Sequence, residues 1–232
     1  MKKSLLLLPL LVVCLTLSSR AQAIPTNLEI GTALKQALEQ GTLNSTTKLS
    51  AVNGFFANAA VKILLPPEAQ KAEKTLRRMG FNKVCDDAIL SLNRAAEDAA
   101  KQAAPIFVDA IKKMTLTDVS NILLGQQDAA TQYFRRSTTN DLTAKFQPVI
   151  KVSLDKVNAT RYYGSLASTY NKIPFVKRIN PDIANYATQK AIEGLFIEIA
   201  AQEAEIRKNL GGMRSTPLLK KVFDFADKNI KH

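Results

Sequence analysis

The chain is poor in groups that carry out chemistry. Its one histidine is His232, the last residue. The usual general base is therefore missing, and with it the Ser-His-Asp and Cys-His arrangements and nearly every zinc constellation. No Glu-x-x-His pair exists for a di-iron bundle, and no glycine-rich loop follows a strand to cradle phosphate. Of the two cysteines, Cys14 and Cys85, the first falls in the leader described below. That leaves no intramolecular disulfide, and Cys85 is expected to be a buried thiol behaving as a small hydrophobe. Carboxylates remain. Glu97, Asp109 and Asp128 are the candidates for a general acid whose pKa is raised by apolar surroundings, as glycoside hydrolysis requires. The sequence sets no distance between them, and it implies no cofactor, no metal site and no nameable catalytic residue.

Binding offers more material than catalysis. Asn93, Arg94, Glu97, Asp128, Thr131, Tyr133 and Arg135 can be read as a polar ligand pocket. The structural alternative has such residues satisfy the unpaired backbone groups of helix ends near Pro105 and Gly125. Phe55 and Phe56, with Leu64 and Leu65, can form an apolar flap over a groove or an anchor at a membrane surface. They can equally pack a long connection onto the core.

The element that must position these residues is a helix from Phe81 to about Ala103. Phe81, Cys85, Ala88, Leu92, Ala95 and Ala99 recur at spacings of four and three, which places them on one face. Val84, Ile89, Ser91, Ala96 and Ala100 widen that face until only Asp87, Arg94, Asp98 and Lys101 form a solvent stripe. A helix this apolar sits inside a bundle, and its alanines let neighbours approach closely. Spacing of four pairs Arg94 with Asp98 and Glu97 with Lys101.

The remaining elements follow from caps and breakers. Asn27 can cap a first helix with Gly41 as its end, unless the pattern resumes through Leu49. Asn53-Gly54 reads as a turn. Val61, Ile63 and Leu65 alternate, so 55–66 reads as an extended segment or short hairpin closed by Pro66-Pro67. Pro67 opens a helix to Met79 with Gly80 beyond it. A kink or a fresh start is expected at Pro105, a new helix at Thr115 or Thr117 with Gly125 as its end, and another at Asp128. Thr139 begins a separate helix kinked at Pro148, and one containing Tyr162 to Tyr170 stops before Ile173-Pro174. Asn180-Pro181-Asp182 opens the longest helix, running to about Leu210. Within it Gly194 costs ~1 kcal/mol against alanine, which predicts another backbone passing close. Gly211-Gly212 breaks that helix, and Thr216-Pro217 starts the last one. The expected fold is all-α, a single irregular bundle of about seven to nine helices over residues 24–232 with one extended connection near 55–66.

Residues 1–23 read as a cleaved secretory signal: Lys2 and Lys3, an apolar run from Ser4 to Leu17, and Ala21-Gln22-Ala23. The run is interrupted by Pro9 and is shorter than the ~20 residues of a membrane span. Lipoprotein processing at Cys14 is the lesser alternative, because Val13 stands where a small residue is wanted. Removing the leader takes away Lys2, Lys3 and Arg20 and no acid, which lowers the formal charge from +12 to +9. The basic residues are scattered among acids, as on a solvated surface. They also permit contact with anionic lipid or acidic polysaccharide, whereas no nucleic-acid motif is present.

Four segments carry a resemblance: Ser91-Leu92-Asn93-Arg94-Ala95-Ala96-Glu97, Pro105 to Ile111, Asp128-Ala129-Ala130-Thr131-Gln132-Tyr133, and Asn171-Lys172-Ile173-Pro174. The chain resembles, over essentially its whole length after the leader, a bacterial exported family catalogued as domain of unknown function 4197. The resemblance implies a mostly helical domain behind a signal peptide, with no established activity. The family pattern carries prolines where this chain has Ala59 and Leu64. Three functions are compatible with these observations. The first is a non-catalytic, periplasmic protein that binds a lipid or other amphiphilic ligand between its helices. The second is an interaction or assembly factor that meets an envelope protein through a basic surface. The third is a carboxylate hydrolase.

Overall fold

The computed structural model describes residues 24–180 and 182–229. The leader 1–23 with Cys14, Pro181 and His232 lie outside the described residues. The elements are α1 (Asn27–Ser50), α2 (Pro67–Arg78), α3 (Asn82–Ala100), α4 (Ala103–Lys113), α5 (Leu116–Leu123), α6 (Ala129–Lys156), α7 (Ala159–Asn171), α8 (Ala184–Arg207), a 3₁₀ turn Leu210–Gly212 and α9 (Pro217–Asn229). No strand occurs among the described residues. The fold is an all-α bundle, and no described helix is long and apolar enough to cross a membrane.

The apolar positions of α3 act as their spacing predicts. Cys85, Ala88, Leu92, Ala95 and Ala99 are fully buried, and α3 touches α1, α2, α4, α6, α7 and α8. Phe81 is the exception: it stands at the N-cap and is 40 % exposed. The predicted stripe Asp87, Arg94, Asp98 and Lys101 stays off the buried face, but its pairings change. Arg94 binds Glu97 and Lys101 binds Asp98, both at spacing three. The Glu97 carboxylate is drawn inward by partners elsewhere in the chain, and Asp98 takes the Ser153 hydroxyl of α6 at 2.7 Å.

Several boundaries are set by groups that the sequence pattern ranks poorly. Thr26, not Asn27, caps α1 through a reciprocal pair with Glu29, and α1 runs through Gly41. The corresponding box at α5 uses Thr115 and Asp118. No helix starts at Thr139. Residues 129–156 form one helix, in which the hydroxyls of Ser137, Thr138, Thr139 and Thr143 donate back to carbonyls four residues earlier. A Ser/Thr cluster that resembles a cap thus stays helical by bonding inside its own helix. This makes α6, with 28 residues, longer than the 24-residue α8. Helix α8 also begins later than Asn180 suggests: the Asn180 side chain accepts from the Asp182 amide, and the Asp182 side chain from that of Ala184. These are two successive side-chain turns ahead of the first helical residue.

The segment 51–66 is neither a hairpin nor fully extended. It runs as turns to Val61 and then irregularly to Pro66, with Phe55, Val61, Ile63 and Leu65 buried. Phe55 explains Gly194. A Cβ on Gly194 would lie 2.6 Å from Phe55 Cε1 and 3.3 Å from the Val61 Cβ, so the close neighbour is an aromatic side chain and not a second backbone. The buried apolar residues form one connected cluster, at whose centre Phe107 meets Phe134 and Phe196 edge-to-face at 5.4 and 6.2 Å.

Two glycines should therefore respond oppositely to alanine. Gly194→Ala is expected to destabilise by about 1–2 kcal/mol, since overpacking a pinned ring outweighs the helix-propensity gain. Gly164→Ala, in α7 with open space around the site, should stabilise by about 0.5–1 kcal/mol. Urea denaturation of both variants checks the pair.

A second prediction concerns acid. The Lys221 ammonium of α9, at 2.7 Å, and the Thr26 backbone hold the Glu29 carboxyl down at about 2, against an ordinary 4.5. A folded value below the unfolded one stabilises at full strength above pH 4.5, and that contribution is lost as pH falls towards 2. Glu29→Gln should therefore show a shallower acid limb over that interval in thermal melts.

Candidate functional site

Asn93, Arg94 and Glu97 occupy one turn of α3, and the structure brings them together with Phe55 and Phe56. Asn93 is completely buried. Its Oδ1 accepts from the Ile63 amide at 2.8 Å, and its Nδ2 donates to the Ile63 carbonyl at 2.8 Å and to the Ile89 carbonyl at 2.7 Å. One side-chain amide thus pairs both backbone groups of one residue, as a neighbouring strand would. Glu97, also buried, accepts from the Phe55 and Phe56 amides through Oε1, each at 3.1 Å. Its Oε2 receives Arg94 Nη1 at 2.6 Å, and Arg94 Nη2 reaches Asn53 Oδ1 at 2.8 Å. Phe56 lies half-buried beside this cluster, with Lys62 Nζ 4.2 Å and the Arg94 guanidinium 5.9 Å from its ring centre. The occupant of this polar site is the 53–63 segment of the chain itself.

The other predicted residues separate from this cluster. Thr131 donates its hydroxyl and amide to Glu203 Oε2 at 2.8 and 2.9 Å, while Glu203 Oε1 accepts the Ala130 amide at 3.0 Å. Arg207 holds the same carboxylate and donates to the Ile122 and Leu123 carbonyls at the end of α5. Asp128 accepts from Gln132 and lines a shallow hollow with Tyr133. Tyr133 meets Phe134 edge-on, and burial pushes its phenol upward. Arg135 is exposed and lies over the Phe196 ring at 4.6 Å. Asp109 lines a different groove, between α4 and α6. Glu97 is therefore set apart in the clamp, Asp109 and Asp128 line two hollows that Tyr133 borders in common, and the backbone groups being satisfied lie at 55, 56, 63, 130 and 131 rather than at Pro105. No cluster of three or more metal-ligating side chains occurs among the described residues. Burial also raises the Cys85 thiol.

Glu203 and Arg207 were not singled out by sequence reasoning, yet a signal existed. Glu203 falls four residues after Ile199 and three before Ile206, on the inward face of α8, and an acid in that phase must have buried partners.

Concave surface that a ligand could enter lies outside the core. The cavity among Leu34, Leu38, Ile122, Glu203 and Phe223 holds about 20 Å³, room for one water. An open groove of about 350 Å³ runs between the connection and α8, lined by Lys62, Leu64, Tyr186, Lys190, Glu193 and Ile197 among others. Leu64 is 51 % exposed there and Ile197 37 %. The Tyr186 hydroxyl donates to the Leu64 carbonyl at 3.0 Å, and Gly194 forms part of the wall. The clamp made by Asn93 and Glu97 thus holds one side of this groove.

Removing the clamp should loosen that side. Asn93→Ala leaves the buried Ile63 amide and carbonyl without partners and is expected to cost about 2–4 kcal/mol. Glu97→Ala should cost a similar amount, and the double variant less than the sum by about 0.5–3 kcal/mol, because both act on one segment. Guanidinium denaturation measures the cycle, and proteolytic nicking within 53–63 should rise in each variant.

No curated protein and no solved structure matches the chain. Residues 25–224 match the family described as Protein of unknown function (DUF4197). That span contains the clamp, the Glu203–Arg207 pair and the groove, and the chain belongs to this family.

Proposed function

We propose that this protein is an exported, periplasmic, non-catalytic binder of an amphiphilic ligand, and that the ligand seats on the outside of the bundle in the groove between 60–67 and α8. The observation that carries the reading is the joint exposure of Leu64 and Ile197 in a groove whose lining also includes Lys62 and the Lys190–Glu193 ion pair. Apolar surface beside Lys62, the lining cation without a carboxylate partner among the described residues, suits a molecule with a hydrocarbon or aromatic body and an anionic head. The small interior cavity argues against a ligand enclosed between helices. The commitment of buried Glu97 to two backbone amides and to Arg94 argues against its serving as one of a hydrolytic carboxylate pair.

The test is titration with 1-anilinonaphthalene-8-sulfonate, an aromatic body with one sulfonate, together with native mass spectrometry of protein taken from its envelope without detergent. Leu64→Asp should weaken dye binding by about tenfold, the scale of losing one apolar contact and adding repulsion, with the melting temperature unchanged. Equal binding by Leu64→Asp and the parent protein would remove the groove as the site.

A further inference from the structure

The loop 172–178, Lys-Ile-Pro-Phe-Val-Lys-Arg, follows α7 and is closed at its neck by Asn171. That side chain donates to the Ile179 carbonyl at 3.2 Å and accepts from the Ile179 amide at 3.0 Å, as Asn93 does with Ile63. Of the apolar side chains here, Ile179 is buried and Ile173 and Val176 pack against the core. Phe175 does the opposite. It exposes 109 % of its reference area and takes a left-handed backbone, φ 63°. That conformation is an outlier for a bulky residue, because it brings Cβ too close to the carbonyl oxygen that follows. A phenyl ring held outward at the expense of backbone strain has no role in the packing of this bundle.

Its neighbours along the sequence carry one sign of charge. Between Asp155 and Asp182 the chain has no acid and five cations: Lys156, Arg161, Lys172, Lys177 and Arg178. Lys172, Lys177 and Arg178 flank Phe175, are exposed, and are in no ion pair among the described residues.

We infer that the 172–178 loop docks the protein reversibly on an anionic phospholipid surface, with Phe175 entering the acyl boundary and Lys172, Lys177 and Arg178 meeting the headgroup phosphates. Charge complementarity selects the occupant: an aromatic ring ringed by cations matches the boundary between phosphate and hydrocarbon, and one ring with three cations makes a contact that is weak and salt-sensitive. This inference does not depend on the groove.

The chain contains no tryptophan, so Phe175→Trp places a single reporter at the tip. The experiment uses residues 24–232, which contain every described helix, with vesicles of phosphatidylcholine alone or with phosphatidylglycerol at about three in ten, enough to set up an anionic surface potential. With the anionic vesicles, the indole emission of the Phe175→Trp variant should shift to the blue and be quenched by bromine-labelled acyl chains. A control Leu210→Trp, 53 % exposed on the Leu210–Gly212 turn, should not respond. Each change of Lys172, Lys177 or Arg178 to Gln should weaken co-sedimentation about fivefold. Phe175→Asn should weaken it about tenfold while leaving the melting temperature equal or higher, because Asn accepts the left-handed backbone. Leu64→Asp should bind vesicles like the parent, which separates this test from that of the groove. An indole emission in Phe175→Trp that anionic vesicles leave unchanged would overturn the inference, as would equal binding to neutral vesicles or vesicle binding that Phe175→Asn leaves intact. So would capture of an envelope protein through Phe175 without any response to lipid.

Discussion

A chain segment without regular secondary structure can be buried only if its amides and carbonyls are satisfied, by its own turns or by groups outside it. The 51–66 connection bonds internally through turns up to Lys62 and meets the rest of that condition through α3. Phe55 and Ile63 are sealed in the core, and the amides of residues 55, 56 and 63, with the carbonyl of 63, are taken up by Glu97 and Asn93. Much else follows. Phe55 can reach into α8 because its backbone is held there, Gly194 must lack a side chain because Phe55 arrives, and the groove beside α8 exists because residues 60–67 form its other wall.

The same physical solution recurs in the bundle. Glu203 with Arg207 takes two consecutive amides at the start of α6, as Glu97 with Arg94 takes two in the connection. Each is a buried carboxylate whose charge is shared between backbone donors and an arginine of its own helix, a geometry in which the hydrogen bonds are charge-assisted. Asn171 repeats the Asn93 pattern at Ile179. Buried Arg214 does the converse at the end of α8, donating to the Ile206 and Arg207 carbonyls while binding Asp227 of α9. These groups join backbone outside the regular helix bonding to helices, and no buried side-chain polar atom among the described residues lacks a partner.

This arrangement moves the functional question to the surface. Asn93 has both ends of its amide committed to backbone, and the cavity beside Glu203 has room for one water. The features left without an internal role are amphipathic and peripheral: the groove with Leu64, Ile197, Lys62 and Lys190, and the loop with Phe175 among cations.

Helix content, the buried face of α3 and the boundaries at Pro67, Gly80, Gly125 and Pro217 were legible in the sequence, because periodicity and capping act within a few residues of themselves, whereas Gly41 and Asn180 marked no boundary. The Ser/Thr cluster of α6 misled because a hydroxyl serves equally as a cap or as a bond to its own helix, and only the neighbours decide. Asn93 and Glu97 could be recognised as polar residues on an apolar helix, which marks them as partnered. Whether the partner was a ligand or the chain itself depended on the folding back of a segment some thirty to forty residues away, and the same holds for Gly194 and Phe55, for Glu203 and Thr131, and for the outward turn of Phe175. Local pattern states that a buried polar group must be satisfied; only the tertiary structure supplies what satisfies it, since hydrogen bonding is short-ranged in space and indifferent to distance along the chain.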